Sequence, residues 1–385
     1  MKNKIIAVGP TTQNNTAVNG QSMMFQLLVD EVYRRNVKTI VVDIGLSIFK
    51  DKGNRVSGKF SIVKGIDYFL ILIKFFFILM FNPGQTVYVT TAQSKVGFVR
   101  DFFIINFARL FGSRIIAHQF GANYAGFYNS QSQFLKKKIK DTLAKTDKIV
   151  VEGDYTKKQF SFLPDYETKV YSLPNGLPEK INSATIHPKI IEQNQPIKMF
   201  YLSNLIESKG FWDVLEAVNI LVNKEKIEIE AVFAGKFLDS VDDVKFPNAE
   251  EARKAFFDYV ETNNLIKNVS YLQGLYGTEK SEEFKKSHFF LLPSYYINEG
   301  QPVSVLEALA YGCVPIVTEY RLIPMMVNKN NGFFVNSKSP NEIASIVKNM
   351  SLNPNLYTTY SESAINGYLD KFTADKYTDK LITLF

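Results

Sequence analysis

The sequence predicts an α/β protein built from two doubly wound domains, and three observations carry that prediction. Short apolar, β-branched runs alternate with amphipathic helical stretches from Ile5 onward, as parallel strands with crossover helices require. The alternation breaks over 177–196, where Pro178, Pro188 and Pro196 stand among few aromatics and mark a linker. A chain of 385 residues also holds enough material for two separate cores. The domains are therefore placed at 1–176 and 197–370, with 371–385 as a final helical segment.

Composition narrows the class. Apolar and charged residues, at 46% and 22%, are at ordinary globular levels. The single cysteine, Cys313, excludes an intramolecular disulfide and reads as a small buried residue before a strand. Three scattered histidines without a Cys cluster offer no metal-ligand spacing. The first apolar run is too short for a secretory signal and reads as a strand, so a cytoplasmic location is expected. Charge is uneven: residues 1–176 carry 24 Lys and Arg against 12 Asp and Glu, a net +12, leaving 21 against 26, a net −5, for the rest. A basic half attracts anionic lipid or nucleic acid. No zinc-finger spacing or aromatic RNA-binding run accompanies it, so no nucleic-acid partner is expected.

In chain order, Ile5–Val8 reads as a strand. A polar loop, TTQNNTAVNGQS, then brings Gly20 to where a doubly wound domain approaches its ligand, and a helix near Met23–Arg35 and the strand Thr39–Asp43 follow. Tyr68–Phe81 is the most apolar stretch. Its fourteen residues as a helix span roughly 21 Å, short of the ~30 Å hydrocarbon core, and Lys74 interrupts them. A helix packed on the sheet is expected, with a membrane-dipping helix as the alternative. Strand Val87–Thr91, helix Val96–Phe111 and strand Ile115–Ala117 come next, the last running into His118. Ligands collect beyond the carboxyl ends of such strands, which makes His118 a candidate; the competing reading is a satisfied structural histidine. The lysines Lys136, Lys137, Lys138, Lys140, Lys145 and Lys148 read either as a solvated helix face or as part of an anionic-surface contact. Strand Lys148–Glu152 follows that helix, and Pro174-Asn175-Gly176 reads as the turn that closes the domain.

The second half opens with strand Lys198–Leu202. Its loop carries Asn204, Lys209 and Gly210, where a lysine suits a diphosphate, and a helix from Trp212 follows. Strands at Ile229–Ala234 and Val269–Leu272 and a helix at Thr278–Ser287 lead to LLPSYYINEGQPVSVLEALAYGCVPIVT, residues 291–318. There Pro302 suits a helix start and Gly312 a helix stop, before strand Val314–Thr318. Glu299 lies just ahead of this helix and Glu307 in its second turn. Unpaired N–H groups at the helix start, with Glu299, Gly300 and Gln301, resemble the wall of an anion or polyhydroxyl site, since carboxylates accept hydrogen bonds from vicinal hydroxyls. The plainer reading is a surface loop Glu and a partly buried helix Glu with a structural partner. Near the end, 331–335 reads as a turn and strand, and Pro340–Met350 as a helix.

Two Glu with seven residues between them, preceded by Pro-Ser and with the second opening Glu-Ala-Leu-Ala-Tyr-Gly, resemble the signature of the retaining nucleotide-sugar glycosyltransferases of family 4. That resemblance implies the GT-B fold: two doubly wound Rossmann-like domains facing across a cleft, with 371–385 crossing back to the first. It assigns Glu299, Gly300, Gln301 and Pro302 to the donor sugar and Glu307 to the ribose. Lys209 goes to the diphosphate, with Asn204 where the family has Arg. It also sets Gly20 towards the diphosphate and His118 near the reacting centre of the sugar, with Gln119 where Gly is usual. His118 and Glu299 are then the catalytic residues. The implied reaction moves a sugar from a nucleotide donor, a UDP-sugar, to a glycan or polyprenyl-linked acceptor in surface-polysaccharide synthesis, at the inner face of a membrane with an anionic surface. No cofactor and no metal is expected. A nucleotide-sugar epimerase of the related two-domain type, or a non-catalytic partner subunit, is the alternative.

Overall fold

The computed structural model describes residues 4–12, 20–45, 62–179, 181, 186–240 and 243–385. The chain divides into two compact units, Met1–Pro178 with Ala374–Phe385, and Glu179–Thr373.

The first unit runs β1 (Ile5–Gly9), α1 (Gly20–Arg34), β2 (Thr39–Asp43), α2 (Ile62–Phe81), β3 (Thr86–Thr91), α3 (Lys95–Leu110) and β4 (Arg114–Gln119). It continues through α4 (Tyr124–Asn129), α5 (Gln133–Leu143), β5 (Lys148–Val151), α6 (Asp154–Lys157), α7 (Tyr166–Lys169) and β6 (Val170–Ser172). These described strands form one parallel sheet in the order β2-β1-β3-β4-β5-β6. Alternate residues of a strand feed opposite faces: Ile6 and Val8 join a core with Phe75, Ile104 and Ile149, while Ala7 joins one with Phe25, Leu28 and Tyr88. Burial on both faces is why these strands read as continuous apolar runs. The second core is closed by Tyr377 and Leu381 from a C-terminal helix, Ala374–Ile382, that lies beside α1. Arg34 reaches Asp375 at 3.0 Å and Arg35 reaches Asp379 at 2.6 Å.

Three local readings change. Strand β4 runs on through His118 and Gln119, because both pair with β3, at Thr90 and Thr91. Gly20 opens α1 instead of sitting in the loop before it, and that loop, 13–19, lies outside the described residues. The segment Pro174-Asn175-Gly176 is irregular chain and not a closed turn, since Asn175 is buried and donates to Glu152 Oε1 at 2.7 Å. The other oxygen of Glu152 accepts from Gly121 N–H at 2.8 Å, so Asn175 fastens the end of the domain to the loop after β4.

The second unit runs β7 (Ile197–Leu202), α8 (Phe211–Asn219, continued by a wider turn over Ile220–Lys224), β8 (Ile229–Ala234), α9 (Ala249–Thr262), β9 (Val269–Leu272) and α10 (Gly277–Lys286). Then come β10 (Phe289–Leu292), α11 (Val303–Ala310), β11 (Val314–Thr318), β12 (Phe333–Val335), α12 (Pro340–Leu352) and α13 (Pro354–Lys371); the C-terminal helix of the first unit is α14. The described strands form a parallel sheet in the order β12-β11-β10-β7-β8-β9. The order reverses between β7 and β10, and in doubly wound sheets a ligand crevice opens at such a switch point. The loops carrying Lys209 and Glu299 leave these two strands.

Candidate functional site

The site in the second unit begins with a backbone demand. After β7 the chain makes one tight turn, Glu207–Lys209, and Gly210 takes φ +79°, a left-handed conformation. A Cβ there would stand 2.6 Å from the Pro293 carbonyl oxygen, so only glycine lets the two loops meet this closely. Tyr295 N–H donates to the Ser208 carbonyl at 2.7 Å and stitches them together. Lys209 is thereby held over the Tyr296 ring, 5.0 Å from its centroid, and its ammonium lies 3.2 Å from the Glu299 carboxylate. Glu299 is buried, and its other partner is the Ser294 hydroxyl, which donates at 2.5 Å. Gln301 is buried just beyond, and Pro302, with φ −68° and ψ 116°, caps α11 one residue before its first turn. Asn204 stands exposed in the first loop, its carbonyl accepting from the Tyr201 hydroxyl at 3.1 Å.

Glu307 is 3% exposed in the second turn of α11 and forms an ion pair with Lys280 of α10. Burial pushes its carboxyl above the usual range, and Lys280 opposes that push. Around the pair, Glu179 accepts from the Ser281 hydroxyl at 2.9 Å and from the Tyr311 hydroxyl at 3.2 Å. Sequence reasoning missed Lys280, Glu179 and Ser294. The serine had a signal, the Pro-Ser ahead of the loop; Lys280 lies 27 positions from its partner with nothing in its spacing to point there.

In the first unit His118 is fully buried. Its ring stacks on Phe120 at 4.1 Å, and its Nδ1 lies 2.7 Å from the Tyr88 hydroxyl. Desolvation lowers its pKa to about 3, so the imidazole is neutral at ordinary pH. We assign Tyr88 as the donor because a phenol is the stronger acid of the two, which leaves the proton of the neutral ring on Nε2. That nitrogen is buried without a hydrogen-bond partner, a costly arrangement unless something else fills it. Gln119 points elsewhere: it accepts from Thr91 at 2.8 Å and donates to the Phe120 carbonyl at 2.5 Å. Gly20 is exposed, and neither φ nor a neighbour within 4 Å demands a glycine there. Among the described residues, no group of three or more His, Cys, Asp or Glu could hold a metal ion.

The sequence profile of the family described as Glycosyl transferases group 1 matches residues 182–367, the greater part of this second unit. Over those residues the chain is similar to the group 1 glycosyltransferases. The matched region of the group 1 family holds Lys209, Glu299, Lys280 and Glu307 together. An uncharacterised glycosyltransferase of Methanocaldococcus jannaschii is 26% identical over 258 residues, 65% of this chain. The chain spans about 61% of the length of that relative. Among solved structures, a glycosyltransferase from Rickettsia africae matches with TM-score 0.70 and 13% identity, covering 100% of this chain and 97% of that one. HepE of Anabaena, solved in complex with UDP, matches with TM-score 0.69 and 10% identity over 99% of both chains. At these identities the structural likenesses establish the fold, and that fold is the GT-B type.

Proposed function

We propose that this protein is a group 1 glycosyltransferase that moves a sugar from a nucleotide donor, a UDP-sugar, to a hydroxyl of a glycan or polyprenyl-linked acceptor, with retention at the anomeric carbon. The observation that carries the reading is the pairing of Lys209 with Glu299 at the switch point of the second sheet. Lys209 is a mobile cation for a diphosphate, and its departure to the phosphates leaves Glu299 free to accept from sugar hydroxyls. Glu307 takes the ribose hydroxyls. The departing diphosphate is neutralised by Lys209 and by N–H groups at the start of α11, without a metal ion. HepE of Anabaena, solved with UDP and glucose and with UDP-glucose, supports a uridine donor by analogy of fold.

Neither carboxylate serves as a nucleophile in this scheme. Glu299 and Glu307 each have a lysine partner and a binding task, so attack comes from the acceptor on the face the diphosphate leaves, with the leaving phosphate oxygen taking the acceptor proton. His118 offers Nε2–H to a substrate oxygen as a neutral donor, and its low pKa makes it a poor proton-transfer group. The product is destined for surface polysaccharide. Asn204, exposed and uncharged where an arginine is usual, favours a second reading, a partner subunit that binds nucleotide without turnover.

Incubation with a panel of nucleotide sugars, with and without acceptor, tests both. Acceptor-dependent release of nucleotide and a product with the donor's anomeric configuration are expected. Interconversion of donor sugars without acceptor would make the protein an epimerase, and binding without release would make it a partner subunit.

A further inference from the structure

Helix α2 is apolar on both sides. Ile71, Phe75 and Leu79 enter the first core, whereas Ile66, Phe69, Ile73, Phe77 and Phe81 recur at helical spacing on the opposite side and are exposed, Phe81 by 76% and Phe69 by 63%. Scattered exposed apolar residues need no explanation, but a continuous stripe on one helix does. No described helix is long and apolar enough to cross a membrane.

The neighbouring helices extend the stripe and rim it with cations. Phe76 of α2 meets Phe107 of α3 edge-on at 5.4 Å, and α3 exposes Val99, Phe103 and Leu110 at the same spacing. On the far side α3 packs against α5, and Lys145, just past α5, donates to Asn106 of α3 at 2.5 Å. Exposed Phe134, Lys137, Lys138 and Lys140 stand on α5, and exposed Lys74, Lys95 and Arg109 on α2 and α3. Against them the described parts of the three helices set one exposed carboxylate, Asp141, because Asp67 and Asp101 are buried. Apolar side chains flanked by cations on one helical layer match the chemistry of an anionic bilayer surface, where rings enter the acyl boundary and ammonium groups meet lipid phosphates.

We infer that the α2, α3 and α5 layer of the first unit is a docking surface for anionic lipid bilayers. It does not rest on the transfer reading of the second unit, and its test needs no turnover. The full chain is sedimented with vesicles of phosphatidylcholine alone and with added phosphatidylglycerol. Recovery with the anionic vesicles should be high at low salt and fall towards 1 M salt, where the Debye length is about 3 Å. Removing a lysine near such a surface costs roughly fivefold in partitioning (about 1 kcal/mol), so Lys137→Glu with Lys138→Glu should lower it at least twentyfold. Phe69→Ser, Phe77→Ser and Phe81→Ser together should lower it more than tenfold, and these exposed positions leave the fold intact by circular dichroism. Phe77→Trp, read by difference from the parent, should gain a blue-shifted emission on anionic vesicles. Equal recovery with neutral and anionic vesicles, or no recovery with either, overturns the inference. So does a dimer in sizing that the serine variant converts to monomer, since the stripe would then belong to a second copy of the chain.

Discussion

Replacing Glu307 separates a binding role from a structural one. The carboxylate is almost fully buried, and its pair with Lys280 touches solvent only at the lysine, whose side chain keeps 15% exposure. Breaking a fully buried pair by removing one partner costs about 3–5 kcal/mol. With solvent at Lys280 and the Glu179 carboxylate in the same cluster, Glu307→Ala should cost less, about 1–3 kcal/mol, and the protein should remain folded. The binding effect is separate: a lost charge-assisted hydrogen bond to ribose is worth about 1.5–3 kcal/mol, or roughly ten- to a hundredfold in UDP affinity. Lys280→Met gives the converse. Without the ammonium, burial and the Glu179 carboxylate act on Glu307 unopposed, its pKa rises further, and UDP affinity should be lost at a higher pH as the solution is acidified. Calorimetric titration of UDP into each folded variant, with thermal unfolding beside it, measures both effects. A Glu307→Ala protein that has lost stability yet binds UDP as tightly as the parent would refute the ribose assignment and leave the pair purely structural.

Other expectations follow from single features of the structure. Gly210→Ala forces a left-handed alanine against Pro293 and should destabilise the protein by about 2–4 kcal/mol, read by denaturant titration; a loss under 1 kcal/mol, about one-quarter of the upper figure, would mean the two loops separate easily. His118→Ala should lower turnover by about 10²–10³ with little change in UDP affinity, since it removes one hydrogen-bond donor to developing charge. The same histidine sets a pH dependence. Its folded pKa, about 3, lies below the unfolded value near 6.5, so the unfolded chain takes the proton first. Its contribution is complete above the unfolded value and falls by about 2 kcal/mol at pH 5, a slope that His118→Asn should remove from the stability curve. Asn204→Arg should tighten UDP binding by roughly tenfold if the loop reaches the phosphates, and an unchanged affinity would show that it does not.

Much of this architecture is written locally in the chain. Strands buried on both faces are mostly apolar and β-branched along their length, so the parallel sheets were legible as runs such as Ile5–Val8 and Val314–Thr318. Helix α11 was legible because Pro302 and Gly312 act through their own backbone restrictions, and with it the places of Glu299 and Glu307. Helix α13 was not, since its buried face mixes Tyr357, Ser361, Ala364 and Tyr368 and shows no clean apolar stripe. What each charged group meets was likewise hidden. Lys280 with Glu307, Asn175 with Glu152, and Tyr88 with His118 join separate elements, and a hydrogen bond between distant residues leaves no periodic trace in either. Burial was the other decision left to packing. A helix apolar on both sides, as α2 is, looks the same in sequence whichever side the sheet covers, and the covering by the sheet decided that Phe75 became core and Phe77 remained on the surface.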